Sequence, residues 1–87
     1  MVFQTPVSQW TTDNVVVWVD RSGLPELSWR FQEQAIAGGS LLTLTHTELK
    51  EDLGIKELGF RNRILRLVED LQAPGRYFSV YFKMIPK

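Results

Sequence analysis

Five apolar residues, Phe60, Ile64, Leu67, Val68 and Leu71, recur at the three- and four-residue spacing that aligns side chains on one face of an α-helix. The stripe opens at Glu57 and runs for about four turns before Ala73-Pro74-Gly75 stops it, because proline cannot continue a helix. A helix of that length has to bury its stripe, and the rest of the chain supplies only shorter segments of the same period. Immediately upstream, Thr45 and Glu48 stand in the capping-box relation. They predict a short helix from His46 that ends before Gly54, a C′ residue with positive φ, with Leu49 and Leu53 facing inward. The expected fold class is therefore all-α, with the longest helix last.

Three further segments complete the bundle. Thr11 and Thr12 are both good N-caps for a helix opening at Asp13, whose carboxylate suits the positive end of the helix dipole. Val15, Trp18 and Val19 share its inner face, Asp20 and Arg21 face water, and Gly23 closes it; the periodicity does not place Val16 and Val17. Pro25 at a helix start begins a second segment, expected to reach Ala35, with Leu24, Leu27 and Phe31 aligned inward. Gly38-Gly39-Ser40 breaks the pattern, and Gly39 or Ser40 starts a one-turn helix through Leu41, Leu42 and Leu44.

Eighty-seven residues make one small domain, near the lower limit for a single unaided core. With 44% hydrophobic and 23% charged residues the chain is too apolar for a disordered tail. There is no cysteine, so disulfides, thiolate metal sites and thiol nucleophiles are excluded, and a reducing cytosol is the expected setting, with the nucleus equally compatible. No apolar run approaches the length of a membrane span, and no secretory leader is evident. After Pro74 the helical pattern gives way to a strand-like run, Tyr77, Phe78, Val80, Tyr81, Phe82, Met84 and Ile85, expected either to fold back over apolar helix surface or to meet a partner. Val2, Phe3 and Val7 form a second apolar group able to pack on it. The expected division is an arm over residues 1–9, a helical domain over 10–72 and an aromatic tail over 73–87.

An ordered series of short words carries a family likeness: Trp10-Thr11, Val15-Val16-Val17-Trp18-Val19, Leu24-Pro25-Glu26-Leu27, Phe31, Ile36-Ala37-Gly38, Leu41-Leu42, Leu44-Thr45, Glu48-Leu49, Asp52-Leu53-Gly54-Ile55, Leu58-Gly59-Phe60-Arg61 and Ile64-Leu65. Between Trp10 and Gln72 the chain resembles a sterile alpha motif (SAM) domain. The resemblance implies a five-helix bundle with a long C-terminal helix, used for association with another SAM domain, of the same or a different protein, in intracellular signalling scaffolds and adaptors. It further implies head-to-tail docking, the start of the last helix on one copy meeting an acidic mid-domain surface on the next. Trp29 departs from the family, which usually has a polar residue there, and so does Phe60, where a histidine or polar residue is common; both are interface candidates.

The charge distribution fits that plan. The ten basic and ten acidic residues cancel overall. Between Lys56 and Arg66, however, Lys56, Arg61, Arg63 and Arg66 outweigh Glu57 by three charges, whereas Glu26, Glu33, Glu48, Glu51 and Asp52 outweigh Arg30 and Lys50 by three between Glu26 and Asp52. The expected donor face is Lys56, Leu58, Gly59, Phe60, Arg61, Arg63 and Arg66, and the acceptor is Glu33, Glu48, Glu51 and Asp52. Exposed ion pairs contribute only about 0.2 to 1 kcal/mol each, so an apolar anchor is needed, and Phe60 would add roughly 1.5 to 3 kcal/mol on burial. Its bland alternative is membership of the buried stripe; that of the arginines is an ordinary solvated face.

Catalysis has little to draw on: there is no phosphate-cradling glycine loop and no nucleophile elbow, and the single His46 lacks a catalytic constellation or a second metal ligand. A non-enzyme with no cofactor, metal or small-molecule substrate is expected. The alternative function is the RNA-hairpin-binding branch of the family, using the same basic helix start; against it, Glu57 lies inside the patch and the middle helices are acidic.

Overall fold

The structure is a computed structural model that describes residues 5–72. Residues 1–4 and 73–87 lie outside the described residues, and with them the expectations for Val2, Phe3 and the Tyr77 to Ile85 tail. Five α-helices follow one another: α1 Thr12–Arg21, α2 Ser28–Glu33, α3 Gly38–Leu41, α4 His46–Glu51 and α5 Leu58–Gln72. Single turns of 3-10 helix at Val7–Gln9 and Pro25–Leu27 precede α1 and α2. This is the all-α bundle with a long last helix that the periodicity predicts.

The caps explain where each helix starts. Thr11 caps α1, its Oγ1 accepting from the Asn14 backbone N–H at 3.2 Å while Asn14 Oδ1 accepts from the Thr11 N–H at 3.1 Å. Asn14 thus closes a reciprocal box one residue earlier than the Asp13 start expected from sequence. Thr45 and Glu48 do the same for α4, each accepting from the other's backbone N–H at 3.1 Å.

Helix α2 ends two residues short of the expected Ala35. Ala35 takes φ 53°, in the left-handed region, so that its N–H reaches Gln32 O at 3.0 Å and the Ile36 N–H reaches Phe31 O at 3.0 Å. That pair of bonds is a Schellman ending with alanine where glycine is usual, which is why the sequence did not announce it. Opening as a 3-10 turn after Pro25 and closing at Ala35 leaves α2 only six residues.

All five helices converge on one core. Val15, Trp18 and Val19 of α1, Leu24 and Leu27 before α2, and Phe31 within it are buried as the spacing requires. Leu49, Leu53, Ile55, Ile64, Val68 and Leu71 close the other side. Val7, which the sequence reading placed in the arm, is also buried, and Trp10 donates its indole N–H to Thr5 O at 2.9 Å while its ring meets Trp18 at 6.3 Å. Gly38 permits this: its N–H donates to Trp10 O at 2.9 Å, and a Cβ there would overlap the Val7 carbonyl.

Candidate functional site

The connection from α4 to α5 is held by two guanidinium groups. Gly54 takes φ 70°, turning the chain between the buried Leu53 and Ile55. Arg30, reaching across from α2, donates through Nη1 to Leu53 O at 3.0 Å and to Gly54 O at 3.1 Å. Arg61, from the first turn of α5, donates through Nη1 to Ile55 O at 2.9 Å and to Lys56 O at 2.7 Å. Four successive carbonyls, 53 to 56, are therefore clamped by cations. Carbonyls past a helix C-terminus attract positive charge, and a single guanidinium Nη carries two N–H groups, one for each of two neighbouring carbonyls. The Nε atoms of both arginines are buried without a partner, so the clamp works through the fork ends alone. A Cβ at Gly54 would come within 2.7 Å of Arg30 Nη1, a side-chain end that can shift, so it is the positive φ that calls for glycine.

This clamp fixes how the start of α5 is presented. Leu58, its first residue, is 57% exposed, and Gly59 is exposed with nothing within 4 Å of where a Cβ would stand. Lys56 and Glu57 are exposed just before it. Phe60 is half-buried, packed against the core edge. The apolar group that faces outward at this end is therefore Leu58, while Phe60, two residues on, turns toward the core. Helical periodicity contains that signal, because Leu58 falls off the stripe of Ile64, Val68 and Leu71.

The arginines of the segment serve different places. At about 100° per residue, Arg61 and Arg63 project about 160° apart, Arg63 and Arg66 about 60° apart. Arg61 is half-buried on its carbonyls. Arg63 is exposed and donates from Nη2 to Ser22 O at 3.2 Å, at the C-terminal end of α1. Arg66 is exposed and lines an open hollow of about 490 Å³ with Leu42, Leu44, Leu65 and Glu69. At the far end of that hollow Gln72 Nε2 donates to Leu42 O at 3.0 Å. Lys56, Leu58, Gly59 and Arg61 thus group around the clamped turn, and Arg63 and Arg66 stand away from it.

The acidic residues divide similarly. Glu48 and Asp52, one turn apart, line a hollow of about 260 Å³ with Gln34, Ser40 and Thr43. Glu51 and Glu33 are exposed but do not line it, Glu33 being the last residue of α2 beside Gln34. One Glu48 oxygen already accepts from Thr45 in the cap. Trp29 on α2 is 53% exposed, and the guanidinium of Arg30 sits 4.8 Å from its ring centroid, a cation–π contact. Sequence reasoning missed Arg30, because its partners are backbone carbonyls more than twenty positions away and no residue type marks them.

Reactive chemistry is sparse. The chain has no cysteine, and among the described residues no group of three His, Cys, Asp or Glu side chains is placed to hold a metal ion. His46 is exposed at the first residue of α4. No described helix is long and apolar enough to cross a membrane.

Comparison with known proteins gives a consistent picture. A family model described as SAM domain (Sterile alpha motif) matches residues 7–72. The chain is 33% identical over 66 residues to WD repeat, SAM and U-box domain-containing protein 1 of Danio rerio, which covers 76% of this chain and 14% of that protein. It is 39% identical over 69 residues to Mitogen-activated protein kinase adapter protein MST50 of Pyricularia oryzae, covering 79% of this chain and 14% of that one. Likeness to NAD(+) hydrolase tir-1 of Caenorhabditis elegans is 36% over 74 residues, 85% of this chain and 8% of the relative. The chain thus spans less than a sixth of the length of each.

Proposed function

The chain belongs to the sterile alpha motif family, and from that premise we propose that it is a protein–protein association module that docks head to tail on another domain of the same family, in a second copy or in a different protein. Family membership supports a general protein–protein interaction role, and the word adapter in the name of one relative agrees with a scaffold setting. The docking itself is our reading. The donor is the start of α5, with Lys56, Leu58, Gly59 and Arg61 at its centre, and the half-buried Phe60 with Arg63 and Arg66 at its margin. The acceptor is the acidic flank of Glu33, Glu48, Glu51 and Asp52.

The observation that carries the proposal is Leu58, a leucine more than half exposed at a helix start held by cations on four carbonyls. A rigid apolar projection ringed by charge is what a hot spot needs: apolar burial supplies affinity, and the charges set rate and register. Glu57 stands exposed between Lys56 and Leu58, where its carboxylate would repel a phosphate strand, which favours the protein reading over the RNA one.

Sedimentation velocity over a range of concentrations, alone and with candidate partner domains, tests it. The native chain should form larger species with loading or with partner, and Leu58→Asp with Lys56→Glu should remain monomeric with unchanged helix content. Both positions are exposed, so these substitutions leave the core intact. Association undiminished by them would remove the donor face.

A further inference from the structure

Trp29 and Leu58 are the large apolar side chains that stand out from the described surface, 53% and 57% exposed. Building on the head-to-tail docking proposed above, we propose that they meet across the interface: Leu58 of one copy seats on the Trp29 indole of a second copy of this chain.

Charge decides the pairing. Leu58 follows the exposed Lys56 and Glu57 and lies three residues before Arg61, so its surroundings carry one net positive charge. Trp29 has Glu26 three residues before it and Glu33 four residues after it, both exposed. Arg30 ties the same stretch of α2 to the carbonyls of Leu53 and Gly54, directly after Glu51 and Asp52, so Trp29 borders the acidic flank. Arg30, whose guanidinium lies over the indole, offsets one of the Glu26 and Glu33 carboxylates, so the surroundings of Trp29 keep one net negative charge against the one net positive charge around Leu58. Seating Leu58 on Trp29 sets apolar surface on apolar surface and cation beside carboxylate in one arrangement. Pairing Leu58 with Leu58, or Trp29 with Trp29, would set like charges together. The contact is therefore heterologous, and each copy retains an unused half with which to add another.

The contact is read in trans between two full-length chains, each with one half disabled. Leu58→Asp with Lys56→Glu blocks the donor half; Glu51→Lys with Asp52→Lys blocks the acceptor half. Mixed in a calorimeter, the two should form a one-to-one complex. Trp29→Ala placed in the donor-blocked chain should weaken that complex by about tenfold or more, whereas in the acceptor-blocked chain it should change nothing. Leu58→Ala in the acceptor-blocked chain, combined with Trp29→Ala in the other, should cost no more than about the larger single effect, the mark of two groups that touch. Thermal melts and a Trp29→Gln variant check that losses reflect the surface and not the fold. If Trp29→Ala acts from the acceptor-blocked chain, acts from neither, or adds independently to Leu58→Ala, the pairing is wrong while head-to-tail docking stands. If the blocked chains fail to associate with Trp29 and Leu58 intact, the docking falls and the pairing falls with it.

Discussion

Ala35 is the residue at which local preference and tertiary demand disagree most plainly. An L-residue in the left-handed region carries roughly 1 kcal/mol of strain that glycine avoids. The position is kept because φ 53° there aims Ile36 back to bond Phe31 O. Ala35→Gly should therefore raise stability by about 0.5 to 1 kcal/mol, seen as a higher urea midpoint with an unchanged slope; a loss of stability would mean that the turn is not strained. Gly38 is the opposite case, a glycine whose place admits nothing larger. Gly38→Ala should cost about 3 kcal/mol, the upper range for overpacking, because its Cβ would displace the Val7 carbonyl and with it the Val7–Gln9 turn. Thermal denaturation measures this, and a near-neutral variant would show that the turn moves freely. Neither position was legible in the sequence, since alanine carries no turn signal and Gly38 reads the same as Gly39 beside it.

Among the elements, α1, α4 and α5 were readable because their information is local: a capping residue, a partner three positions on, and an apolar period. Helix α2 was only half readable, its start marked by Pro25 and its end hidden in Ala35. Half of the clamp on the α4–α5 connection belongs to tertiary structure: Arg30 reaches the Leu53 and Gly54 carbonyls from α2, whereas Arg61 bonds the Ile55 and Lys56 carbonyls only a few positions before it. Arg30→Ala should destabilise by about 1 to 2 kcal/mol, charge-assisted bonds being worth more than neutral ones but these being partly wet. It should also speed amide exchange from Leu58 to Arg61, whereas Arg30→Lys restores only part of the protection because the lysine nitrogen lies one atom nearer the backbone than Nη1. Unchanged exchange in Arg30→Ala would show that the turn holds itself without the guanidinium.

At the scale of the whole molecule the formal charge is zero, so any steering comes from its separation into a cationic helix start and an acidic flank. Raising salt from about 0.1 M to 1 M shortens the screening length from about 10 Å to about 3 Å. If the docking proposed above holds, with charges guiding the encounter and Leu58 holding the contact, association of native chains should slow over that range while dissociation changes little. Stopped-flow mixing separates the two rates. Dissociation rising as steeply as association falls would make the ion pairs themselves the source of affinity.

The order of helices, the capping boxes of α1 and α4 and the inward stripe were written in the chain, since each depends on residues within a few positions of one another. Which cations remain outward was not. Arg61 turns onto carbonyls, Arg63 ties down the end of α1, and Leu58, not Phe60, projects. Those outcomes depend on where other helices place their carbonyl groups and open surface, and only the folded arrangement fixes that.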